Sequence, residues 1–189
     1  SALGYSMKAM MKAMKLEDGF KEVSYLSRTL NTEVLEPRGR ELAQTLKDHV
    51  PVIYSSQKNR AIAYNWKIKF NETGKVPAFY NSLPELNHNE MTGFDAKEGS
   101  RHLSEIFHFI ILRDTHDHPR IQKRMEVLKK LYTDRKLPVT ILDFEGNSML
   151  QRMFSSLVLA DWTALYTAQA YGLESEQVPM VEEFKRLVI

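Results

Sequence analysis

The stretch FNETGKVPAFYNSLPELNHNE sets a carboxylate and an imidazole on either side of a short apolar run, Glu72 before it and His88 after it. A carboxylate is ionised at neutral pH and can take a proton and hand it back, while histidine gains and loses one near neutrality. If VPAFYN is a strand, its six or so residues at ~3.3 Å each hold the two groups ~20 Å apart. One sugar-sized ligand cannot touch both within a single chain. Should both act on one substrate, the His comes from a second copy, and the spacing points to a symmetric dimer with shared sites. Each residue alone also has an ordinary reading. A Glu at a helix end is usually solvated, and a His in a Pro-Glu-Leu turn can cap a helix or bond a carbonyl. Lys185, close to the C-terminus, is a favourable charge at the end of a helix.

Other polar residues invite weaker hypotheses. Ser55, Ser56 and Gln57 lie between a predicted strand and a predicted helix, where backbone N–H groups can cradle a phosphate. His102, His108, His116 and His118 could suggest a metal, but no Cys and no HExxH helix joins them, so no metal site is expected. Asp161 interrupts an apolar helix and reads as a paired polar group inside the domain or at a dimer contact. Tyr5, Met7, Met10, Met11 and Met14 read as packing residues of the first helix.

The elements that must position these groups are legible from periodicity. Apolar residues recurring at three and four predict helices over 5–15, 20–30, 40–49 (after Pro37), 60–71 and 120–135. A long helix opens after Gly146 and Asn147 and runs to about Gly172, and Pro179 starts a last helix that carries Lys185. Short runs rich in β-branched and aromatic residues predict strands at 51–56, 76–81, 106–114 and 137–144. A turn falls at Leu83 and Pro84, residues 85–90 read as one helical turn, and 91–104 reads as loose. Strands alternating with amphipathic helices imply an α/β fold, a parallel sheet covered on both faces.

Composition narrows the class. The 189 residues are 43% hydrophobic and carry a formal net charge of +2, which suits one domain. That balance offers no basic stripe for nucleic acid. No apolar segment approaches the roughly 20 residues that span a bilayer, so no membrane partner is expected. The absence of cysteine removes disulfides and thiolate chemistry and sits with a cytoplasmic location. The chain opens on Ser1 without a Met and enters a helical pattern at once, which reads as a piece of something longer.

The same stretch around Glu72 and His88, continued through MTGF, resembles the bifunctional phosphoglucose/phosphomannose isomerases, whose two subdomains are sugar-isomerase (SIS) domains. EGNSMLQRMFSSLVLADWTALYTAQAYGL, LRDTHDHPRIQKR and EEFKRLVI are similar to further segments of that family. The resemblance runs over the whole chain and corresponds to the second SIS subdomain alone, with SALGYSM similar to the segment that links the two. It implies a three-layer αβα sandwich with a mainly parallel sheet over residues 51–189, preceded by a helical segment over 1–50. It implies Glu72 as the base that moves the proton, His88 as the ring-opening group supplied by the neighbouring subunit, and Lys185 as a cation near the reacting oxygens. The substrate would be a phosphorylated hexose, isomerised between aldose and ketose through a cis-enediol with no cofactor. The subdomain that grips the phosphate would be the other one, which leaves the Ser55–Ser56 loop a degenerate copy of the phosphate loop and the 189 residues inactive alone. The family often has a Thr where this chain has Val178, which puts one hydrogen bond near the sugar in question. A sugar-phosphate sensor without catalysis is the competing reading, since SIS domains also serve regulators.

Overall fold

A computed structural model describes residues 3–188, so Ser1 and Ile189, the outer ends of the two predicted spans, lie outside the described residues. Two helices, α1 (Leu3–Ala13) and α2 (Glu17–Thr29), form a hairpin and lead into α3 (Thr32–Thr45). The α/β part runs β1 (Val50–Ser56), α4 (Arg60–Glu72), β2 (Phe79–Leu83), the short helices α5 (Glu90–Gly93) and α6 (Arg101–Ser104), β3 (Phe107–Arg113), α7 (Pro119–Asp134), β4 (Val139–Asp143), α8 (Met149–Ala170) and α9 (Pro179–Leu187). The four strands form one sheet in the order β2-β1-β3-β4, and every pairing is parallel. This is the expected α/β sandwich. Chain order reverses between β1 and β3, which makes the crevice at their C-terminal ends the topological switch point.

Alternating side chains feed two cores. Ile53, Ile110 and Leu112 point to one face, where they meet Leu35, Leu42 and Leu46 of the α3 segment, Ile62, Trp66 and Phe70 of α4, and Leu157 and Ala160 of α8. Val52, Tyr54, Phe109 and Ile111 point to the other, against Met125, Leu128 and Tyr132 of α7. The central strands read as almost unbroken apolar runs because both faces are covered. A smaller cluster packs Val23 and Leu26 of α2 on Leu150, joined by Met7 and Met11. Those two methionines are packing residues as expected, whereas Tyr5, Met10 and Met14 are exposed.

Three regions differ from the sequence expectation. The helix predicted from residue 40 starts at Thr32 and carries Pro37 inside it. Asn31 caps it, its side chain accepting from the Val34 N–H at 3.3 Å, and Pro37 is exposed, so the Glu33 carbonyl left without a donor can face water. The second strand lies at Phe79–Leu83 rather than 76–81. The Val76 N–H is spent closing the turn onto the Phe70 carbonyl, and Pro77 has no N–H to give, so pairing with β1 begins only at Phe79. Residues 91–104 hold two single helical turns, α5 and α6.

Candidate active site

Glu72 is the last residue of α4 and is exposed. Its position is set from three directions. Trp66, fully buried on the same helix, donates from Nε1 to Ser156 Oγ at 3.0 Å and locks α4 against α8. Asn71 donates from Nδ2 to the Val76 carbonyl at 3.0 Å and fixes the turn that follows. Lys75 reaches the carbonyls of Glu72 and Gln177, tying the end of α4 to the segment that enters α9. Between these parts lies an open cleft of about 530 Å³, lined by Glu72 and Thr73, by Asp161, Trp162 and Leu165 of α8, and by Ser175, Glu176 and Val178.

Glu72, Asp161 and Glu176 make the cleft acidic. Asp161 forms an ion pair with Lys69 of α4, which is the paired role its sequence position implied. Carboxylates accept hydrogen bonds from hydroxyl groups, and the Trp162 ring stacked beside Tyr166 offers an apolar wall. Such a lining suits the hydroxylated body of a sugar. Phosphate, by contrast, is recognised by donors and positive charge.

His88 stands at the other end of β2. It follows β2, so it lies away from Glu72 by about the length of that strand, ~16 Å for five residues. The loop that carries it is well anchored. Leu86 is fully buried, and Glu90 accepts hydrogen bonds from the Tyr54 hydroxyl and the Asn81 side chain. Burial, followed by the nearby Tyr132 and Glu90, pushes the Tyr54 hydroxyl far up, so it stays a donor. The His88 ring itself is exposed and has no hydrogen-bond partner among the described residues.

Lys185 sits in the last turn of α9 and pairs with Glu182 at 2.7 Å. It does not line the cleft, although Val178 at the start of its helix does. Of the three residues, Glu72 alone lines the cleft. Sequence reasoning named Asp161 only as a paired group and missed Trp162 and Glu176 as cleft residues. Asp161 was detectable as an acid breaking an apolar run, but Trp162 and Glu176 carry no local signal.

The four histidines do not form one ligand cluster. His108 is buried on β3, its Nε2 2.9 Å from Thr140 Oγ1. His116 lies on Asp114, and the His118 side chain accepts from the Arg120 N–H at the start of α7. Among the described residues no three His, Asp or Glu side chains converge as metal ligands, and no helix is long and apolar enough to cross a membrane.

The doubly wound parallel sheet with a cleft at the end of α4 is an SIS-type fold. Solved structures agree at the level of fold. A glucose-6-phosphate isomerase like protein from Thermus thermophilus superposes with a TM-score of 0.64 at 15% identity, covering 86% of this chain and 58% of its own. A glucosamine-6-phosphate deaminase from Thermotoga maritima gives 0.56 at 13% identity, covering 86% and 47%. The chain belongs to the bacterial phospho-glucose isomerase C-terminal SIS domain family, which matches residues 36–188. Among curated relatives, the bifunctional phosphoglucose/phosphomannose isomerase of Aquifex aeolicus is 31% identical over 184 residues, 97% of this chain and 56% of that protein. The protein of the same name from Caldicellulosiruptor bescii is 34% identical over 98% of this chain and 58% of its own length. The chain thus spans little more than half the length of these relatives.

Proposed function

We propose that the chain is the second SIS subdomain, residues 51–189 with residues 1–50 as the joining segment, of a cytoplasmic aldose-ketose isomerase that interconverts glucose 6-phosphate and mannose 6-phosphate with fructose 6-phosphate. Glu72 takes the C2 proton of the open-chain aldose and returns it at C1, while the hydroxyl proton moves between O1 and O2, so nothing is oxidised overall and no cofactor is needed. The two aldoses differ only at C2. Their difference vanishes once C2 is planar in the cis-enediol, so one carboxylate serves both epimers when the C1–C2 unit turns to present either face to it. His88 of a second copy opens the ring, and Lys185 stabilises the developing enediolate once α9 is seated in the complete assembly. The phosphate is gripped by the other subdomain, and the 189 residues alone turn over little or no substrate.

The observation that carries this reading is Glu72 on the wall of an acidic cleft of about 530 Å³ beside Trp162. The cleft has room for a hexose, accepts its hydroxyls and offers no grip for phosphate. That division of labour is what a two-subdomain isomerase requires. The rival reading, a phosphosugar sensor, draws only on the fold.

The test is a coupled isomerase assay on the 189 residues and on the chain with whatever precedes Ser1 in its gene. Glu72→Gln in the longer protein should lower kcat by at least ~100-fold with substrate binding retained. Unchanged turnover would remove Glu72 from the chemistry, and binding without turnover in the longer wild-type protein would favour the sensor.

A further inference from the structure

The switch-point crevice of this subdomain holds a second cavity that the isomerase reading does not use. The loop after β1, where a phosphate could sit, is occupied by the protein's own groups. Ser56 Oγ donates to Asp117 at 2.9 Å and accepts from the Asn59 N–H at 3.3 Å, and the Asn59 side chain also turns to Asp117. All three residues are buried. Asp117 therefore stands where an external anion would, and the loop itself is closed.

Immediately beside it lies a cavity of about 170 Å³, lined by Lys58 and Asn59, by Ala61 and Ile62 in the first turn of α4, by Met149, Arg152 and Met153 at the start of α8, and by Asp114 and Phe144. The first turns of two long helices border it, and both bring partial positive charge. Arg152 is only 8% exposed, yet no nitrogen of its guanidinium makes a hydrogen bond to any described residue, and Nε is sealed from solvent without an acceptor. Its Nε forms an ion pair with Asp114 at 3.6 Å, past hydrogen-bond reach, so the charge has a partner while the N–H does not. That carboxylate is engaged elsewhere, accepting from the His116 N–H at 2.9 Å and from Lys58 Nζ at 3.4 Å.

A buried guanidinium is always charged and presents five donors in a fixed fork. Leaving its sealed Nε–H without an acceptor is costly. The cavity has room for ~5 waters, enough for a tetrahedral oxyanion, and Lys58, with its side chain half exposed at the mouth, can close over one.

We infer that this cavity is a phosphoryl-binding site in the second subdomain, with the Arg152 fork and the Lys58 ammonium on the anion, separate from the Glu72 cleft. The occupant is inorganic phosphate or the phosphoryl group of a sugar ester, and the two present the same oxygens to Arg152.

The test is calorimetric and ³¹P NMR titration of the 189-residue chain with sodium phosphate at an ionic strength held constant with sodium chloride. One saturable site is expected. Arg152→Met should weaken it at least about tenfold, the usual consequence of losing a charge-assisted bidentate contact, and Lys58→Met by several-fold. Glu72→Gln should leave it unchanged. Displacement of bound phosphate by fructose 6-phosphate would identify an ester as the occupant, and failure to displace would identify the free ion. Either supports the site. If Arg152→Met does not fold, Lys58→Met decides, because its side chain lies at the surface. No binding above the chloride control, or equal binding in wild type and Lys58→Met, would overturn the inference and leave water as the partner of Arg152. The readout is binding, so loss of this site and loss of the isomerase reading are seen separately.

Discussion

Lowering the pH should destabilise this domain through one residue, His108. Its ring lies between β3 and β4 with Nε2 against Thr140, Nδ1 buried without a partner, and the His49 ring edge-on at 5.7 Å. Burial first, and the like charge of His49 second, push its pKa down to about 4. An unfolded chain holds the same imidazole near its ordinary value of about 6.5. Between those values the unfolded state binds more protons, so stability from His108 is fully present above pH ~6.5 and is lost as the pH falls towards 4. At pH 5.0 the unfolded ring is nearly all protonated and the folded ring about one-tenth so, which amounts to about 2 kcal/mol, rising to about 3 kcal/mol below pH 4.

The assay is urea unfolding at pH 7.5 and 5.0 of wild type and His108→Gln, which cannot titrate. Other groups change both proteins alike, so the wild type should lose about 2 kcal/mol more than the variant between the two pH values. A pH dependence identical in the two proteins would refute the argument. So would an NMR titration placing the folded His108 midpoint near 6.5.

Two further outcomes follow from the geometry. If the proposed isomerase shares its sites across a two-fold axis, Glu72→Gln and His88→Asn proteins, each then nearly inactive in the longer chain, should regain up to about a quarter of wild-type turnover when unfolded and refolded together, since half the dimers then hold one intact site. No recovery would place both residues within one protomer's site or outside the chemistry. Gly39 of α3 meets α8 so closely that an added Cβ would lie 2.5 Å from Trp162 Cβ and 3.0 Å from the Thr163 nitrogen. Gly39→Ala should therefore cost about 1–2 kcal/mol despite its better helix propensity, read as a Tm drop of a few degrees. An unchanged Tm would mean that α3 and α8 can separate freely.

Local order was legible wherever a residue's role depends on its neighbours in the chain. The continuous apolar run FHFIILR declares a strand covered on both faces, and the three-and-four spacing in α7 declares one buried side. The separation of Glu72 from His88 followed from strand length alone, because a strand between two residues holds them apart however the sheet is assembled. The limits of Pro77 and Pro37 were harder to read, since a missing N–H matters only once it is known which carbonyl needed it.

The candidate sites depend on packing between residues distant in sequence. Asp161 and Trp162 reach Glu72 because Trp66 and Ser156 lock α4 to α8, and no local pattern encodes that crossing. Arg152 looks in sequence like any charge near a helix start. Only the fold buries it beside Asp114 and Lys58 with its hydrogen-bonding capacity unspent, because burial and the absence of an acceptor depend on every element that surrounds a group. Propensity and periodicity act over a few residues and settle the elements. Desolvation and charge act across space, and so the surroundings of Glu72, His108 and Arg152 were decided by the tertiary structure.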